Sequence, residues 1–131
     1  MKNIRTKRES KEQTLLNKYL RSKREEGFYC YCELKVMRGN TFNFKKIEES
    51  QLIGLPALEN NGLVWKLSDS DIRQKACDTI CTPPLPTYLV IKKDKTFYFM
   101  RYMVIEAMME SGKKSITLDE CKELAEKLIH S

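Results

Sequence analysis

Gly27-Phe28-Tyr29-Cys30-Tyr31-Cys32-Glu33-Leu34-Lys35 reads as a strand that ends in charge. Aromatic residues fill it, and these favour a pleated, half-buried surface. Side chains alternate along a strand, so Tyr29, Tyr31, Glu33 and Lys35 project one way while Phe28, Cys30, Cys32 and Leu34 project the other. A carboxylate and an ammonium therefore share one face. Burying either alone would cost several kcal/mol, roughly the penalty of an unpaired buried charge, so a metal, a phosphate or a pairing partner is expected nearby. In phosphodiester hydrolysis a Glu-x-Lys pair of this kind holds a divalent ion through the carboxylate while the lysine orients or activates the attacking water. The bare pattern is common: Glu9-Ser10-Lys11 repeats it in a polar segment that reads as helix.

Working outward, residues from about Ser10 to Glu26 read as a charged helix with Leu15, Leu16, Tyr19 and Leu20 as a narrow apolar stripe. After the strand, Arg38-Gly39-Asn40 is a turn, and a short extended piece through Phe44 leads to a helix from about Glu48 to Asn60, kinked at Pro56 and stopped by Asn61-Gly62. The apolar run Leu63-Val64-Trp65-Lys66-Leu67 suits a central strand, and Ser70 is placed to cap a helix over about 71–81, ended by Thr82-Pro83-Pro84. Strands over Tyr88 to Lys92 and Thr96 to Arg101 flank Lys93-Asp94-Lys95 as a hairpin. A helix follows over about Met103 to Glu110. The capping box Thr117-Leu118-Asp119-Glu120 then opens a C-terminal helix with Cys121, Leu124, Ala125, Leu128 and Ile129 on its apolar face. Helices and strands alternate, which predicts an α/β fold: one domain over 1–131, with a mixed central sheet flanked by helices.

Charge is unevenly spread. The formal net charge is +6, and most of it lies in residues 1–26, where nine cations face four carboxylates. Such a basic arm or helix suits nucleic acid, an acidic protein partner or a solvated face. No apolar run approaches the ~20 residues that span a bilayer, so no membrane association and a cytoplasmic location are expected. Cys30, Cys32, Cys77, Cys81 and Cys121 are an odd set with no secretory signal before them, which argues against a disulfide framework. Cys30, Cys32, Cys77 and Cys81 could supply four thiolates for zinc, but their spacing is unusual, and core packing of Cys30 and Cys32 is the simpler expectation. Met100, Met103, Met108 and Met109 read as core filling. His130 is the lone histidine, at the C-terminal end, and no phosphate-binding glycine loop occurs; a His-based triad and P-loop chemistry are both disfavoured.

The order of these features resembles the RecU family of Holliday junction resolvases, within the PD-(D/E)xK, restriction-endonuclease-like nuclease fold. Gly27 to Lys35 looks like the family's catalytic strand. Thr41-Phe42-Asn43-Phe44-Lys45-Lys46-Ile47-Glu48-Glu49-Ser50-Gln51 resembles its phenylalanine-led loop and glutamine-bearing helix, Asn61 to Leu67 the next core strand, and Gly112-Lys113-Lys114-Ser115-Ile116 the closing segment; together the match spans about 100 residues. The resemblance implies Glu33, Lys35 and Gln51 as catalytic residues and Glu33 as a magnesium or manganese ligand. It further implies DNA, branched or duplex, as partner, and a homodimer. Arg5, Lys7, Arg8, Lys11, Lys45 and Lys46 are the candidate phosphate contacts. The family also carries an aspartate on a strand before the Glu-x-Lys strand; here its place falls near Leu20, and no aspartate precedes Asp69. Either Glu9, Glu12, Glu25 or Glu26 replaces it, or the metal site is degraded. Three functions follow as expectations: a nucleic-acid-binding protein with a degraded metal site, an active structure-selective endonuclease, or a phage-type inhibitor or adaptor, for example an anti-CRISPR, docking on a nucleic-acid-processing complex.

Overall fold

A computed structural model describes residues 4–24, 28–66 and 79–130. Helix α1 (Ile4–Arg24) starts earlier than its apolar stripe suggests, and strand β1 (Tyr31–Val36) follows. Strand β2 (Thr41–Asn43) and a single 3-10 turn over Phe44–Lys46 lead into α2 (Glu49–Asn61), which contains Pro56 and ends at Gly62. Strands β3 (Leu63–Lys66), β4 (Thr79–Thr82), β5 (Thr87–Lys93) and β6 (Thr96–Arg101) precede α3 (Tyr102–Glu110), β7 (Ser115–Thr117), α4 (Leu118–Leu124) and β8 (Lys127–His130).

The main sheet has the order β1-β5-β6-β8 and is mixed: β1 runs parallel to β5, and the other pairings are antiparallel. A parallel pair needs a crossover. α2 supplies the helical part of it and packs over β1 and β5. The β5–β6 hairpin closes through Asp94 and Lys95, with Asp94 in the left-handed region at φ 54°, which a short polar side chain tolerates. One face of the sheet carries Leu89, Ile91, Tyr98 and Met100 under Ile105 of α3 and Cys121 of α4. The other carries Tyr88, Val90, Phe97 and Phe99 under Leu16 of α1. Leu16 is fully buried, which contributes about 2 kcal/mol of apolar burial to docking α1. The described residues thus form an α/β arrangement of a mixed sheet between helical layers, with four α-helices.

Three sequence expectations are corrected. Leu63 to Lys66 is not a central strand among the described residues: β3 pairs there with β4 alone, in a separate two-stranded ribbon, Val64 is 70% exposed, and Leu67 lies outside the described residues. The helix expected over 71–81 lies largely outside the described residues, as does Ser70, but its last part is strand β4, where Thr and Ile favour extended backbone and Pro83 disfavours helix before it. The C-terminal helix stops at Leu124; Leu128 and Ile129 belong to β8, with Ile129 buried opposite Phe97 and Leu128 exposed, a period of two rather than 3.6. Met100 is buried core as expected, whereas Met103 is 60% exposed. Gly62 is dictated by close approach: at φ 72°, a Cβ there would stand 2.2 Å from the Thr82 carbonyl oxygen.

Candidate nucleic-acid interface

Strand register fixes where the Glu-x-Lys pair points. Tyr31, Glu33 and Lys35 lie beside Thr87, Leu89 and Ile91 of β5, so they project toward α2, while Cys32 and Leu34 pack on the α1 side. Glu33 Oε1 lies 3.6 Å from Lys35 Nζ, and the side chains are 32% and 17% exposed respectively. The ammonium is thus compensated by its own strand neighbour. The Tyr31 hydroxyl hydrogen-bonds Thr82 Oγ1 and donates to the Pro83 carbonyl at 3.0 Å, which ties the start of β1 to the end of β4. Among the described strands, β1 has one neighbour and forms an edge of the sheet.

Gln51 sits in the first turn of α2, where its Oε1 accepts the Glu48 backbone N–H at 3.1 Å. That is a helix-capping contact, and it leaves the side-chain amide N–H groups to other partners. Gln51 shares the α2 side of the sheet with Glu33 and Lys35.

A second carboxylate beside Glu33 is the test of a metal site. Glu12 does not serve: it binds Lys92 across the α1 face, opposite to the one Glu33 occupies. The Glu9 side chain, Glu25 and Glu26 lie outside the described residues. Glu59 of α2 is on the correct face but is engaged at the start of β5, where it accepts from Thr87 Oγ1 at 2.7 Å and pairs with Arg101. Burial works to raise the Glu59 carboxyl, and the hydrogen bonds from Thr87 and Arg101 outweigh it and hold the group below the ordinary carboxylate value. Among the described residues no group of three His, Cys, Asp or Glu side chains could hold a metal ion. Glu12 and Glu59 are thus held by Lys92 and by Thr87 and Arg101, so neither stands free to share magnesium or manganese with Glu33 in the form the resemblance implies. The four-thiolate zinc alternative involves Cys77, which lies outside them.

The basic residues gather more clearly. Lys45 and Lys46 are exposed on the 3-10 turn, whose start is fixed by Asn43 Oδ1 accepting the Lys45 N–H at 2.9 Å. β2 pairs antiparallel with β7, and the Phe44 N–H donates to the Lys114 carbonyl at 2.9 Å, so exposed Lys114 joins this turn from 70 residues away. Lys113 beside it pairs with Glu120. At the end of β1, exposed Arg38 accepts the Lys93 ammonium on its carbonyl at 3.1 Å. The Lys92–Glu12 pair brings the N-terminal half of α1, with exposed Lys11, to this same end of the sheet. The side chains of Arg5, Lys7 and Arg8 lie outside the described residues. Sequence reasoning had not singled out Arg38, Lys93 and Lys114; for the two lysines the signal was the recurring Lys-Lys doublet at 45–46, 92–93 and 113–114.

Among the described residues no helix is long and apolar enough to cross a membrane. No family model, curated protein or solved structure matches the chain.

Proposed function

We propose that the chain is a nucleic-acid-binding protein with a RecU-like, restriction-endonuclease-like core whose metal site is degraded, and that it binds branched or duplex DNA. The observation that carries the reading is the joining of Lys45 and Lys46, on the turn after β2, with Lys114, just before β7. Backbone hydrogen bonds join the two loops and leave the three lysines exposed to solvent, where they can meet phosphates. The parallel β1–α2–β5 connection, with Glu33 and Lys35 beneath the helix that carries Gln51, supports the nuclease-like core. Engagement of Glu33 by Lys35, with Glu12 held by Lys92 and Glu59 by Arg101, favours binding over cleavage.

The test is anisotropy of a labelled four-way junction and a matching duplex against salt, with magnesium- or manganese-dependent cleavage assayed on the same substrates. Expected are binding that weakens steeply with salt and no cleavage. Metal-dependent cleavage that Glu33→Ala removes would replace this reading with the endonuclease. Absence of binding to both substrates at low salt would refute it.

A further inference from the structure

Cys30 and Cys32 follow the same strand alternation and pack together against the core on the α1 side. Cys30 also lines a cavity of about 280 Å³ between α1 and the start of β1, whose walls include Leu20, Phe28 and Leu85 and whose polar residues include Asn17 and Arg21. Arg21 is exposed. Lys127 of β8 stands beside the Phe28 wall, its Nζ 4.0 Å from the centre of the Phe28 ring, and its charge acts on Cys30. A half-buried thiol therefore opens onto an apolar hollow with Arg21 on its wall, Lys127 beside Phe28 and a second thiol on the same face of the strand. Interaction with the half-buried Cys32 thiol, which is held protonated, lowers the Cys30 thiol against the opposing effect of burial, and the Lys127 charge adds to it.

We propose that Cys30 is a site of reversible S-thiolation by a small anionic disulfide, with the attached thiol lying in the cavity and its carboxylates toward Arg21 and Lys127. The Cys30 thiolate attacks one sulfur of the disulfide, the new S–S bond forms as the old one breaks, and the leaving thiolate takes a proton from solvent. No other oxidant is consumed. The mixed disulfide is the end product because Cys30 and Cys32 are two residues apart on extended backbone. That spacing separates their Cα atoms by about 6.7 Å, at the upper end of what a disulfide spans.

Reduced full-length protein is treated with oxidised glutathione, quenched in acid, and read by intact mass and peptide mapping. The expected product is a single glutathionyl adduct on Cys30, formed about tenfold faster than at any other cysteine, including exposed Cys81. Cationic cystamine should react more slowly than glutathione disulfide, and Lys127→Met should narrow that difference. A first adduct at another cysteine, or a loss of two hydrogens from a Cys30–Cys32 disulfide, overturns the proposal. Cystamine reacting as fast as glutathione disulfide overturns the anionic preference. The site readout comes from the wild-type chain, so it does not depend on a variant folding.

Discussion

Glu12 and Lys92 pair across 80 residues of chain, and the ammonium of Lys92, whose side chain is 6% exposed, also lies 4.8 Å from the centre of the Phe97 ring. This pair is the polar clasp between α1 and the sheet. An ammonium so deeply placed is tolerable only while its carboxylate stays. Glu12→Ala is expected to destabilise the fold by about 2–4 kcal/mol, because it leaves the charge buried without its partner. The double variant Glu12→Leu, Lys92→Met should recover much of the loss. Urea unfolding of the wild type and both variants checks this, and a double variant no more stable than the single one would mean that the pair does more than neutralise itself.

The Glu33–Lys35 pair predicts a much smaller effect. At 3.6 Å and with Glu33 about one-third exposed, it is an ion pair without a short hydrogen bond, and its coupling in a double-mutant cycle should be about 1 kcal/mol or less. DNA affinity of Glu33→Gln should stay within about twofold of the wild type, since removing an acid does not remove a phosphate contact. A tenfold or greater loss on this substitution would place Glu33 within the binding surface.

Lys45, Lys46 and Lys114 test the interface directly. Each phosphate contact contributes about 0.9 to the slope of log affinity against log salt, so the triple alanine variant should flatten that slope by roughly 2–3. Circular dichroism and urea midpoint should be near those of the wild type, because all three side chains are exposed. An unchanged slope with unchanged affinity would move the binding surface elsewhere.

What was legible in the sequence was local. The period of two from Phe28 to Lys35 set Glu33 and Lys35 on one face, the Thr117–Glu120 capping box marked the start of α4, and Lys93-Asp94-Lys95 marked the hairpin. Three failures share a cause. Leu128 and Ile129 satisfy a helical stripe and an alternating strand equally, and only pairing with Phe97 and Tyr98 decides between them. Leu63 to Lys66 is apolar enough for a central strand, yet among the described strands its one partner is β4, and Val64 is left in solvent. Glu12 offers itself as a stand-in ligand by charge alone, and which face of the sheet α1 covers is information held in Leu16 packing against Val90 and Phe97. The basic cluster depended on the same kind of fact, the pairing of β2 with β7.

Glu59 gives the fold an acid sensitivity with a definite sign. Its carboxyl is held below the ordinary value, so the folded state binds its proton more weakly than the unfolded chain does. The stabilisation is therefore fully present above the unfolded carboxylate pKa and is lost as pH falls through the depressed folded value. Arg101 sharpens the effect: among the described residues its Nε is buried without a hydrogen-bond partner, and its Nη2 pairs with Glu59. Glu59→Gln should lower stability at pH 7 by about 1–3 kcal/mol, the range for removing a charge-assisted hydrogen bond at a partly buried site. The difference from wild type should shrink as pH falls below about 4, where the unfolded carboxyl takes up its proton. Urea midpoints measured from pH 7 down to pH 3 check this, and two curves that stay parallel across that range would show that the Thr87 and Arg101 contacts do not favour the ionised carboxylate.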